Sequence, residues 1–379
     1  MEASLAPPRH ADERITAALR SAGVEVNGPA PHDIRIRNPR FFHRVTSRGS
    51  LGFGESYVDG DWECDRIDDL VVRLIRAGVH RTHGGGVRDI GRRAAALLTN
   101  SGSTVRAFVI GERHYDIGND LFERMLGRSM VYSCGYWRDA ADLDAAQDAK
   151  LDLVCRKLGL KPGMRLLDVG CGWGGLARFA AERYGVRVLG ITVSREQQEW
   201  ARRAAGSLPI TIELLDYRSL DAGRFDAVAS IGMFEHVGRK NYATFCDVVR
   251  RHLADDGLFL LHTIGGNTSS FTTDPWIERY IFPNSLIPSL AQIASAAEAS
   301  FVVEDLHNFG ADYDRTLLSW SANVDRNRDE LEGRYGGRFL RMWRYYLLSC
   351  AGAFRARYNN LWQIVLSPGG VAGGYRAPR

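Results

Sequence analysis

Two spacings of apolar side chains alternate along the chain from about residue 145 onward. Residues 145–158 repeat theirs every three to four positions, the period of a helix with one buried face, and Leu166-Leu167-Asp168-Val169 then reads as a short strand. Leu176–Arg183 returns to helical spacing, Val186–Ile191 to strand, and the segment after Thr192-Val193-Ser194 to helix, with Thr192 or Ser194 as N-cap. Ile210–Leu215, Phe225–Ile231, Gly257–Leu261, Phe301–Asp305 and Trp362–Ser367 are further apolar runs of strand length. Strands and helices in such alternation predict an α/β fold with a largely parallel, doubly wound sheet. Earlier in the chain the pattern is different: Ala11–Ala22 and Asp68–Arg76 have helical spacing, while Ile34–Arg37 alternates as a strand. No internal repeat or low-complexity segment is present.

The first strand of the alternation runs into Asp168-Val169-Gly170-Cys171-Gly172-Trp173-Gly174-Gly175. Glycine at every second position lets the backbone take positive φ and lets a ligand approach without meeting a Cβ. A dinucleotide site would show G-x-G-x-x-G, followed about 20 residues later by an acid for the ribose. Here the spacing is G-x-G-x-G-G, and the next strand ends in Thr192. That disfavours NAD, and Asp-x-Gly-x-Gly-x-Gly at a strand end resembles the turn of S-adenosylmethionine methyltransferases. Ligands of open parallel sheets bind beyond the carboxyl ends of strands. Asp168, Thr192, Asp216, Glu235 and His262 are all expected at or just past such ends, with Asp216 placed to accept from an adenine amino group. Tyr132-Ser133-Cys134 is either a loop that bonds the methionine carboxylate or an ordinary turn.

Composition narrows the classes. With 379 residues and 45% apolar content, two domains or one elaborated domain is expected. The formal charge of +4 names no partner. After Glu332 no acidic residue follows, whereas Arg334, Arg338, Arg341, Arg344, Arg355, Arg357, Arg376 and Arg379 stand among aromatic residues. Such a stretch suits phosphate head groups or nucleic acid, or is a solvated helix face over a core stripe. The six cysteines are scattered without a C-x-x-C pair, so neither a metal site nor a disulfide framework is expected, and the compartment reads as reducing. No apolar run approaches the ~18 to 20 residues that span a bilayer. A soluble, cytoplasmic protein with only peripheral membrane contact is the expectation.

Taken together, several stretches resemble the cyclopropane-fatty-acyl-phospholipid synthase family. They are His114-Tyr115-Asp116-Ile117-Gly118-Asn119, Tyr132-Ser133-Cys134, the glycine turn, Gly232-Met233-Phe234-Glu235-His236-Val237-Gly238, Leu261-His262-Thr263-Ile264-Gly265, Tyr280-Ile281-Phe282-Pro283-Asn284 and His307-Asn308-Phe309-Gly310-Ala311-Asp312-Tyr313. The resemblance covers about Glu112 to Ser367. It implies a class I S-adenosylmethionine methyltransferase fold, Rossmann-like, with a seven-stranded mostly parallel sheet. A small α+β N-terminal domain and a helical cap over the active site complete that fold. The implied reaction moves a methylene from S-adenosylmethionine across a cis double bond of an unsaturated acyl chain of a phospholipid at a membrane surface. It passes through a carbocation deprotonated by bound bicarbonate. The resemblance places bicarbonate on Cys134, Glu235, His262 and Tyr313, with a backbone contact near Ile264, and the methyl donor on Tyr132, Ser133, Asp168, Gly170, Gly172, Gly174, Thr192, Gln197, Asp216 and Tyr217. Aromatic faces such as Phe234, Tyr280 and Trp137 are expected to stabilise the cation.

The expected organisation is an N-terminal lipid-engaging domain at 1–78, a linker at 79–106, and a catalytic domain at 107–379 with insertions at about 269–300 and 311–357. A homodimer on the inner face of the membrane, with no nucleic-acid partner, is implied. Two alternatives use nearly the same residues: a fatty-acyl C-methyltransferase that leaves a methyl branch, and a small-molecule N-methyltransferase.

Overall fold

The structure, a computed structural model, describes residues 9–79 and 118–379. Nearly all of the expected linker, and His114 to Ile117 of the first family motif, lie outside the described residues. By contact the chain divides into two units. One comprises Met1–Leu98, Thr272–Pro283 and Leu317–Tyr358; the other comprises Thr99–Phe271, Asn284–Thr316 and Asn359–Arg379.

The first unit is mainly helical. Its helices are Arg9–Ser21, Arg40–Val58, Ile67–Arg76, Pro275–Tyr280, Arg328–Tyr335 and Gly337–Arg355, and two short strands, β1 (Arg35–Ile36) and β2 (Trp62–Glu63), pair antiparallel. The stretch Gly49–Tyr57, rich in glycine and aromatics, is helical, with a break at Gly49 (φ 55°). Its glycines serve packing: a Cβ on Gly52 would lie 2.0 Å from the Arg44 carbonyl, and one on Gly54 would lie 2.4 Å from Trp276. Fully buried Trp62 packs against Phe41, Phe53, Tyr57 and Tyr345. The C-terminal arginines are largely neutralised in this unit, Arg338 on Asp59, Arg341 on Glu63, Arg344 on Asp325 and Arg355 on Asp68 and Asp69. That arrangement matches the helix-face reading of this stretch more closely than an open basic surface. Among the described residues no helix is long and apolar enough to cross a membrane.

The second unit holds a seven-stranded sheet in the order β5-β4-β3-β6-β7-β9-β8. Its strands are β3 (Arg165–Val169), β4 (Arg187–Thr192), β5 (Ile210–Leu214), β6 (Phe225–Ile231), β7 (Leu253–Gly266), β8 (Val302–Asn308) and β9 (Asn359–Ser367). Neighbours from β5 through β7 are parallel, and β9 runs antiparallel to both β7 and β8. A strand covered on both faces needs apolar residues at successive positions, and the two faces feed separate cores. Leu167, Val228 and Leu261 join one cluster; Leu166, Ala227, Ala229 and Leu260 join the other.

The expected strands are present, but β7 extends well beyond Gly257–Leu261 at both ends. His262 therefore lies inside a strand. It pairs with Ile231, the last residue of β6, and with Gln363 of β9, which still brings it level with the carboxyl end of the parallel strands.

Candidate active site

Beyond the carboxyl ends of β3 to β6 lies a cleft of about 160 Å³, far above the roughly 10–15 Å³ that one water needs. Tyr132, Ser133, Asp168, Gly170, Gly172, Thr192, Gln197, Asp216 and Tyr217 all line it. Gly174 does not. It sits at the start of the helix Gly175–Tyr184 with φ 75°, and a Cβ there would meet Ala201 at 3.2 Å.

Local chemistry explains the shape of the cleft. Gly170 and Gly172 have φ of 82° and 54°, and the amides of Gly170 and Cys171 both donate to the Ile191 carbonyl, tying the turn to the end of β4. Ser194 caps the helix Arg195–Ala205 by accepting from the Gln197 amide. Thr192 Oγ1 donates to Gln197 Oε1 at 2.8 Å, which fixes the Gln197 side chain at the rim. Asp216 is held in place by Arg218, whose guanidinium binds both of its oxygens at 2.7–2.8 Å.

Asp168 is buried, and its Oδ2 has no hydrogen-bond partner. Burial raises its pKa to about 7, against the pull of nearby Lys150. Sequence reasoning missed Lys150 and Gln147. Both are fully buried on the helix Leu143–Lys157, three residues apart. Lys150 Nζ donates to Ser133 Oγ at 2.9 Å, and Gln147 Nε2 donates to the Ser133 carbonyl at 2.8 Å. The available signal was two polar residues at helical spacing on the same face as Leu151 and Val154.

The four residues expected to carry the chemistry do not line the cleft, but Glu235 belongs to a wall segment, since Met233, His236 and Val237 around it do. Glu235 Oε1 accepts from the Ile264 amide at 2.7 Å. Its Oε2 is buried and unpartnered, and burial raises its pKa to about 7. His262, two residues before Ile264 on β7, sets Nδ1 3.3 Å from the Gln363 side-chain amide and leaves Nε2 buried without a partner. Burial, reinforced by Lys150 and Lys157, holds its pKa well below the usual imidazole range.

Cys134 is fully buried, its Sγ 3.1 Å from the Gly135 carbonyl, and burial keeps the thiol protonated. Thr316 Oγ1 accepts from the Gly135 amide at 3.1 Å and from Trp137 Nε1 at 2.8 Å, pinning the Cys134 loop to the helix Ala311–Arg326. Buried Tyr313 stands one turn before Thr316 on that helix. Phe309 joins the pieces, with ring centroids 5.8 Å from His262 and 5.3 Å from Tyr136.

The aromatic expectations fare differently. Phe234 is fully buried and stacks on Tyr242 at 4.3 Å, inside the core. The face of Trp137 is covered by the Arg315 guanidinium at 4.4 Å. Tyr280 lies in the first unit and donates to Glu55. Neither Phe234 nor Trp137 lines the cleft.

The buried carboxyl of Glu235 sets a pH dependence. Its pKa is about 7 in the folded protein against 4.5 for the free side chain. A carboxyl raised in this way favours folding fully below about pH 4.5, and that contribution is lost as pH rises toward 7. Glu235→Gln stays neutral throughout. Its stability relative to the parent is therefore expected to rise between pH 4.5 and 7 by on the order of 3 kcal/mol and to level off above, with its relative melting temperature following. Thermal melts of both proteins across that range check this; a pH-independent difference would show that Glu235 ionises normally.

A family model described as mycolic acid cyclopropane synthetase matches residues 103–364. The chain is 53% identical over 361 residues to cyclopropane-fatty-acyl-phospholipid synthase of Escherichia coli strain K12, covering 95% of this chain and 94% of that protein. It is 41% identical over 360 residues to a probable fatty acid methyltransferase of Pseudomonas putida, covering 89% and 88%. Among solved structures, it is similar to a mycolic acid cyclopropane synthase complexed with SAH and CTAB. The TM-score is 0.64 at 33% identity, over 68% of this chain and 97% of that one.

Proposed function

The chain belongs to the mycolic acid cyclopropane synthetase family, and from that membership we propose that it forms a cyclopropane ring on an unsaturated acyl chain of a membrane phospholipid. It is an S-adenosylmethionine-dependent methyltransferase of the class I fold, with a seven-stranded, mostly parallel sheet. The observation that carries the reading is the 53% identity, spread over 95% of the chain, to a cyclopropane-fatty-acyl-phospholipid synthase.

The cleft fits the methyl donor. Its glycine turn admits a ligand close to the backbone, Asp168 Oδ2 is a buried acceptor without a partner, and SAH is bound in the related solved structure. When bound, S-adenosylmethionine supplies the electrophilic methyl that an alkene accepts, after which loss of one proton from the added carbon closes the ring.

The chain's own residues manage that proton. Burial keeps Cys134 protonated and His262 neutral, and it holds a proton on Glu235 up to about pH 7. The Gln363 amide, donating to His262 Nδ1, places the imidazole proton on Nε2. Neutral groups that can each donate suit an oxyanion, and bicarbonate held by Cys134, Glu235, His262 and Tyr313 would supply the base. The dry surroundings also protect the carbocation from capture by water. The reading extends to a cytoplasmic homodimer that meets its phospholipid peripherally, at the inner face of the membrane.

The test is to incubate the protein with methyl-labelled S-adenosylmethionine and vesicles of unsaturated phospholipid. Acyl chains are expected to gain one CH₂ and lose the double bond, while label absent from the lipid overturns the reading. A second reading draws on the 41% identity to a probable fatty acid methyltransferase. A product that gains CH₂ but keeps a double bond, or gains CH₄, is methyl-branched and decides for it.

A further inference from the structure

Lys150 poses a problem that the proposed chemistry leaves unsolved. A fully buried ammonium group is costly unless something nearby compensates it, yet its hydrogen-bond partner is the neutral Ser133 hydroxyl, at 2.9 Å. Asp168, the buried carboxyl that acts on Lys150 through its charge, keeps Oδ2 unpartnered. Lys150, Ser133 and Asp168 all line the cleft. Burial lowers the pKa of Lys150 to about 7 and raises that of Asp168 to about 7, so two buried titratable groups, each with unused hydrogen-bonding capacity, stand on the walls of one cavity.

The direction of the hydrogen bond is decided by chemistry. In its charged form Lys150 has three donors and no acceptor, so Ser133 Oγ accepts from Nζ and its own hydrogen is left for another acceptor. Gln147, one turn earlier on the same helix, holds the Ser133 carbonyl at 2.8 Å and so fixes the residue at its backbone as well. Residue 133 therefore offers the cleft an O–H donor beside a positive charge, and Asp168 offers an acceptor with negative character. A zwitterion of amino-acid type complements that pair, its carboxylate toward Ser133 and Lys150 and its ammonium toward Asp168.

Resting on the methyl-donor reading above, we infer that Lys150 is a positioning residue that aims the Ser133 hydroxyl at the carboxylate of the cofactor's amino-acid end and, with Asp168, selects ligands carrying that end. Calorimetric titration separates this role from a merely structural one. S-adenosylhomocysteine carries the amino-acid end, and 5′-methylthioadenosine has the same nucleoside and sulfur without it. Lys150→Met is expected to weaken S-adenosylhomocysteine by at least about tenfold, as for loss of a hydrogen bond to a charged group, and to leave 5′-methylthioadenosine within about twofold. Ser133→Ala, which keeps the helix intact, is expected to act in the same direction to a smaller extent and serves if Lys150→Met does not fold. Equal losses for both ligands, or none for S-adenosylhomocysteine in either variant, overturn the inference alone. A parent protein that binds neither ligand overturns the methyl-donor reading and the inference with it.

Discussion

Glu235→Gln is expected to bind S-adenosylhomocysteine within about twofold of the parent protein and to turn over lipid about 10²- to 10⁴-fold more slowly, the range for a positioned acid or base. The substitution keeps size and shape, so the Ile264 amide, now 2.7 Å from Oε1, retains an acceptor. What is lost is the capacity of the second oxygen, buried and unpartnered, to hold and release a proton near pH 7. The cofactor cleft is lined by other residues, so binding has no reason to follow. Single-turnover transfer of labelled methyl to phospholipid, with calorimetry on the same preparation, makes the comparison. Turnover within a few-fold of the parent would remove Glu235 from the chemistry.

Gly170→Ala is expected to weaken S-adenosylhomocysteine binding by more than tenfold and to lower the melting temperature. Two costs act together. At φ 82° an L side chain is strained, by about 1–3 kcal/mol. The added methyl would also lie 2.7 Å from Cβ and Cγ of Met233, a residue of the cleft wall. Gly172→Ala separates the two: its φ is 54° and a Cβ there meets nothing within 4 Å, so only backbone strain remains. The Gly170 variant should therefore be clearly the weaker binder. Equal losses would mean that contact with Met233 plays no part.

Much of the site was legible because the residues that build it are local in sequence. The Asp168–Gly174 turn, the Ser194 cap and the strand-end positions of Thr192 and Asp216 each follow from spacing over a few residues. A cation-stabilising face on Phe234, Tyr280 or Trp137 is not a local property of the sequence. An aromatic ring in a motif looks the same whether its face is open, stacked on Tyr242 or covered by Arg315. Lys150 is not legible for a related reason, since lysine on a helix ordinarily snorkels to solvent and only packing shows that this one does not.

By itself, the sequence determined the αβ alternation, the glycine turn and hence the class of cofactor, because periodicity and positive φ are properties of short segments. Tertiary structure alone decided which side chains lost their water. Glu235, His262, Cys134, Asp168 and Lys150 come from separate elements, and ordinary side chains acquire shifted proton affinities only when distant segments close around them. Tertiary structure also decided that Thr272–Pro283 and Leu317–Tyr358 pack with the N-terminal residues. Contacts such as Trp276 on Tyr345 and Arg355 on Asp68 depend on long-range closure, for which no local pattern is a guide.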